Sequence, residues 1–227
     1  MFQDADERRS VEKKLLERLR STSTPAKEAA FAAFTRPRLS LDVIGGYAGK
    51  FGPAHFRIHG AWRGKPENAF VAVQGSTPDL TIGGDVSITT HPSEDWTRAV
   101  VQRFPTRPAA GRRQVDNAVP TSTQLMGESV VRTVIANASS TSAAAAFVHL
   151  KPVLGAVITV RVGALADGVT PGEAEIHVAD IEDEGRYALV MDSPATALGV
   201  DAEGLARLIN KVFNSVRDRR RRRVDAL

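Results

Sequence analysis

The run Gly45–Pro53 (GGYAGKFGP) places a lysine directly after a glycine, as a phosphate-binding loop does. That loop also needs Ser or Thr after the lysine and a glycine five positions before the second one. Here those positions hold Phe51 and Ile44, so the match fails twice. The segment reads instead as a Gly-rich strand connection, either a plain mobile loop or a partner contact through exposed Tyr47 and Phe51.

Five histidines raise the question of a metal. His55 and His59 share one face of a strand, but four residues at about 3.3 Å each separate them by about 13 Å. A single zinc needs ligands near 2 Å, so this pair cannot chelate it. His91, His149 and His177 have no partner at ligand spacing. All five read as solvated surface imidazoles, and no metal or other cofactor is expected. Ser, His and Asp are present without a Gly-x-Ser-x-Gly elbow. Glu182, Asp183 and Glu184 crowd a turn, where water leaves little reason for their acidity to change. No catalytic residue stands out, and the chain is expected not to be an enzyme.

Arg217–Arg223 (RDRRRRR) is a block of like charge. Such blocks are usually disordered and can touch RNA, DNA or anionic lipid. The chain has 30 Lys and Arg against 26 Asp and Glu, but Arg217–Leu227 alone holds six Arg and two Asp. Positions 1–216 therefore balance, with 24 of each sign. The basic character belongs to the tail, and no basic face is expected on the body.

The remaining composition narrows the class. A length of 227 residues fits one large domain or two small ones. Cysteine is absent, which excludes disulfides, thiol catalysis and Cys-based metal sites. No apolar run is long enough to span a bilayer, and MFQDADERRS is charged where an export signal would be apolar. A cytoplasmic, soluble protein is expected.

The elements that would position these residues follow from periodicity. Positions 4–20 predict a helix with a narrow stripe at Val11, Leu15, Leu16 and Leu19. Pro25 opens a second helix through Ala26–Phe34, and Pro37 closes it. Leu39, Leu41 and Val43 alternate in a first strand; Phe56, Ile58 and Trp62 point inward from a second. Asn68–Gln74 and Asp85–Thr90 predict two more strands. Ser93 is then the expected N-cap of a helix carrying Trp96, Ala99, Val100 and Phe104. Positions 121–137 and 143–150 predict further helices, the first with Met126 on its apolar side. Strands follow around Ile158–Val162, Ala174–Val178 and Tyr187–Met191, the last two joined by the turn Glu182–Gly185. Asp201 caps a closing helix whose stripe is Leu205, Leu208, Ile209, Val212, Phe213 and Val216. Antiparallel meanders with helices between them define an α+β chain. The two halves share a layout at an offset of about 110 residues.

This order of motifs resembles the EspG family of type VII secretion chaperones. The resemblance is carried by Phe34-Thr-Arg-Pro37 with Leu39–Val43, Ala69–Gln74, and Gly84–Ile88 with the helix Trp96–Phe104 and Pro105. It is carried further by Ala110–Arg112, by Ile176–Tyr187 (IHVADIEDEGRY) and by the closing helix, covering about residues 28–216. It implies a central antiparallel sheet flanked by two helical bundles, with a quasi-twofold internal repeat. One domain would span 1–216, with half-repeats near 26–105 and 121–216, followed by a basic disordered tail at 217–227. The implied activity is capping of the apolar helical tip of PE–PPE-type secretion substrates. The implied contacts are Tyr47 and Phe51 as anchors, Lys50 at the rim, and Met126, Leu205 and Phe213 in the helices. The alternative is a nucleic-acid or membrane-associated accessory protein acting through the arginine tail.

Overall fold

The computed structural model describes residues 5–49, 52–64, 68–77, 84–112, 115–116, 152–163, 171–190 and 196–224. The helices expected at 121–137 and 143–150, and with them Met126, lie outside the described residues, as do Lys50, Phe51 and Met191.

Helices α1 (Ala5–Ser21) and α2 (Pro25–Thr35) come first. Pro25 occupies the first turn of α2, where its missing N–H costs nothing, and the Thr24 side chain accepts from the Lys27 N–H. Four strands follow: β1 (Leu39–Gly49), β2 (Gly52–Trp62), β3 (Ala69–Thr77) and β4 (Val86–His91). Helix α3 (Trp96–Val101) and the short β5 (Val115–Asp116) precede β6 (Pro152–Val162), β7 (Gly172–Ile181), β8 (Gly185–Val190) and β9 (Thr196–Gly199). The long helix α4 (Ala202–Val224) closes the chain.

The strands form one nine-stranded sheet in the order β4-β3-β2-β1-β6-β7-β8-β9-β5, with antiparallel pairing between neighbours. The molecule is therefore α+β. Strands β1 and β6 join the two meanders at the centre, from Leu39 opposite Val162 to Tyr47 opposite Leu154.

The pleat separates two environments. Leu41, Val43, Ile58, Val71, Ile158, Val160 and Ile176 point to one face, where α3 and α4 cover them with Trp96, Val100, Leu205, Ile209, Phe213 and Val216. A Cβ at Gly60 would come within 2.7 Å of the Trp96 ring, so this glycine lets α3 approach the sheet. The next residue, Ala61, points to the opposite face, where it packs with Phe70 against Ala30, Ala33 and Phe34 of α2.

Three expectations need correction. Residues Gly45–Gly49 are strand rather than loop, because small residues there pack between two neighbours: a Cβ at Gly45 would meet Phe56 Cζ at 2.4 Å and Ala156 Cβ at 2.9 Å. Ser93 does not cap α3. The N-cap is Asp95, and Ser93 Oγ donates to Glu94 Oε2 at 3.2 Å instead. The arginine block at 217–223 is not a disordered extension: α4 continues to Val224, cations being favourable against the negative end of a helix.

Candidate partner-binding hairpin

The longest hairpin pairs β1 with β2 over eleven positions, from Leu39 opposite Trp62 to Gly49 opposite Gly52. Pairing of β1 with β6 stops at Tyr47, and pairing of β2 with β3 stops at His55. Two further residue pairs, Ala48 with Pro53 and Gly49 with Gly52, continue the hairpin past its last pairs with β6 and β3. They make a short arm, about the last 7 Å of the hairpin before Lys50 and Phe51. Of the nine residues expected as a loop, Gly45–Gly49 and Gly52–Pro53 belong to strands.

Tyr47 stands at its base. It is half-buried rather than exposed, packs on the core, and its ring lies 6.3 Å from that of Phe56. Phe56 in turn meets Phe104 edge-on at 5.4 Å, and the Arg186 guanidinium lies 5.0 Å over the Phe104 ring. Arg186 is wholly buried and forks onto Asp180, with Nε donating to Oδ1 at 2.6 Å and Nη2 to Oδ2 at 2.8 Å. A continuous row thus runs from the arm to the β7–β8 turn. Pattern reading did not find this pair, because charges six residues apart across a turn look solvated until the connector 106–111 covers them.

Leu205 and Phe213, expected as partner contacts, are core residues. Leu205 is fully buried, and Phe213 packs 5.4 Å from Trp96. Neither reaches a partner's surface while α4 stays on the sheet.

On the face opposite α3 and α4, a charged ladder crosses four strands. His59 on β2 bonds Asp42 on β1, Asp42 bonds Arg161 on β6, and Arg161 Nε donates to Glu173 Oε2 on β7 at 2.8 Å. Burial raises the Asp42 carboxyl, but the hydrogen bond and charge of His59, with Arg161, outweigh it and hold it below its ordinary value. Burial lowers Arg161, while Glu173 and Asp42 raise it further, above its ordinary value. The histidines are therefore not all solvated: His59 is hydrogen-bonded to Asp42 and its ring lies 5.3 Å from that of Phe34, and His177 is buried beside Glu175. Among the described residues, no three His, Cys, Asp or Glu side chains gather to hold a metal ion. No helix among them is long and apolar enough to cross a membrane.

A broad antiparallel sheet, covered on one face by two helices and containing a long hairpin with a glycine-rich end, defines an α+β scaffold. The chain belongs to the EspG family, whose model matches residues 1–211, and is thereby a type VII secretion-associated protein. No curated protein and no solved structure matches it.

Proposed function

We propose that this protein is a cytoplasmic chaperone that caps the apolar helical tip of PE–PPE-type secretion substrates and keeps them soluble before export. The family match over residues 1–211 is the observation that carries this reading. The two meanders that meet at β1 and β6, the first preceded by Pro37 and the second opening on Pro152, support an internally repeated scaffold for it.

The arm supplies the contact. Lys50 and Phe51 follow the last pairs of the hairpin in the chain, and Tyr47 anchors the base. Phe51 gives the apolar contact and Lys50 a polar rim. Each Å² of apolar client surface removed from water contributes about 25 cal/mol, so a few aromatic anchors dominate the affinity. Leu205 and Phe213 serve indirectly, by fixing α4 to the sheet that carries the arm.

The test is co-expression with a PE–PPE pair, followed by copurification and a binding isotherm. The client should copurify with the intact protein, and Phe51→Ala should weaken binding about tenfold or more with an unchanged melting temperature. Tyr47→Ala should weaken it as well, with some loss of stability from its half-buried packing. Equal affinity of Phe51→Ala and the unmodified protein would remove the arm from the interface.

A further inference from the structure

The outer face of α4 is a basic ridge. Leu205, Ala206, Ile209, Val212, Phe213 and Val216 bury one side of this helix against the sheet and α3. Beyond its paired first turn, the exposed side carries Arg207, Lys211, Arg217, Arg221 and Arg222, with Asp218 as the one exposed anion from Arg207 to Arg222. Asn210, Asn214 and Ser215 fill the same side with neutral hydrogen-bonding groups. The fifteen steps from Arg207 to Arg222, at 1.5 Å each, make the ridge about 22 Å long. The balanced charge of positions 1–216 conceals this, because Arg207 and Lys211 sit within that segment but on the same helical face as the arginine block.

Fold stability does not account for the ridge. Cations in the last turn complement the helix dipole, but Arg207 and Lys211 lie in the first half of α4, where that benefit is absent. Arg207 with Lys211, and Arg217 with Arg221, are like-charge pairs at a spacing of four, which weakens a helix. The arginine block also extends beyond the residues that the family model matches.

We propose that this face docks the protein peripherally on an anionic lipid surface. The charge complementarity is direct, since lipid phosphates attract a helix that presents five cations on its exposed side, with Asp218 offsetting part of that charge 3.9 Å from Arg217 Nε. The form of the ridge selects a surface over a nucleic acid. Helix α4 lies against the body as far as Arg220, whose guanidinium would be 2.8 Å from a Cβ at Gly163. It is therefore a ridge backed by the sheet and not a free helix able to enter a duplex groove. The aromatic residues beside it, Trp96, Phe104 and Phe213, are buried and offer no platform for unstacked bases. No exposed apolar side chain lies among the ridge residues, so attachment is electrostatic and reversible, without insertion.

The experiment is sedimentation of the full chain with vesicles of phosphatidylcholine alone, and of two parts phosphatidylcholine to one part phosphatidylglycerol. Binding only to the anionic vesicles is expected, with release at high salt. Replacing Arg207, Lys211, Arg217 and Arg221 by Gln should reduce partitioning about fivefold per cation removed. Replacing the three arginines by Lys should preserve it, and circular dichroism checks that each variant is folded. The proposal fails if the anionic vesicles do not bind, or if the Gln variant binds as tightly as the unmodified protein. It fails equally if a DNA or RNA duplex binds at a salt concentration where the vesicles do not. None of these outcomes depends on whether a secretion client binds the hairpin arm.

Discussion

Arg186 and Asp180 form a two-pronged ion pair, 2.6 Å and 2.8 Å long, with neither side chain reaching solvent. Thr106 completes it: its carbonyl accepts from Arg186 Nη2 at 2.9 Å, and its hydroxyl donates to Asp180 Oδ2. The Arg186 main chain holds the same connector, its N–H donating to the Ala109 carbonyl and its carbonyl accepting from the Gly111 N–H. The pair thus fastens the segment after α3 onto the β7–β8 hairpin.

Breaking this pair should be costly because one charge would remain buried. Asp180→Ala is expected to destabilise the fold by about 3–5 kcal/mol. Replacing both residues together, Asp180→Leu with Arg186→Met, should recover much of that loss. Chemical denaturation of the three proteins measures the coupling. Additive losses would mean that the two residues act independently.

Asp42 makes stability depend on pH. Its carboxyl is held below the ordinary value of 3.8 in the folded state, so folding favours its ionised form. The resulting stabilisation is present above pH 3.8 and is lost as pH falls through the lower folded value. Asp42→Asn should therefore cost about 1–2 kcal/mol at neutral pH. The difference from the unmodified protein should close in acid. Thermal melts of both proteins across the acidic range check this, and a gap that widens in acid would contradict it.

A side chain at Gly199 has no space. Its Cβ would lie 1.9 Å from the Gly111 carbonyl oxygen, a backbone atom that cannot rotate away. Gly199→Ala must push the connector off β9 and is expected to cost about 1–3 kcal/mol. Gly75→Ala is the control, since its Cβ would meet the Asp85 carbonyl oxygen at an ordinary 3.6 Å. It should change stability by about 0.5 kcal/mol or less. Denaturation midpoints of the two variants check the contrast.

The start of α4 depends on Asp201, whose Oδ1 accepts from the Gly204 N–H at 2.6 Å. Asp201→Ala removes this cap and should cost about 1 kcal/mol, whereas Asp201→Ser or Asp201→Asn should retain most of it. If all three variants melt together, the cap is not what holds this end of the helix.

Local pattern is legible in the chain itself. The alternation of Leu39, Leu41 and Val43, the turn Glu182–Gly185, the Asp201 cap and the stripe from Leu205 to Val216 all stand in the fold where periodicity and capping rules put them. Each reflects interactions within a few residues or a single buried face, which periodicity records. The glycine-rich segment misled because glycine marks close packing as readily as it marks a loop. At Gly45 the deciding neighbours are Phe56 and Ala156, the second of them 111 positions away.

The amino-acid sequence by itself determined the α+β class, the strand faces and the family. Only the tertiary structure decided that β1 joins β6, that Asp180 and Arg186 are buried, that His59, Asp42 and Arg161 meet, and that α4 turns its cations outward. The physical reason is range. Apolar periodicity is set along one element, but the burial and pairing of a charge depend on which distant element covers it.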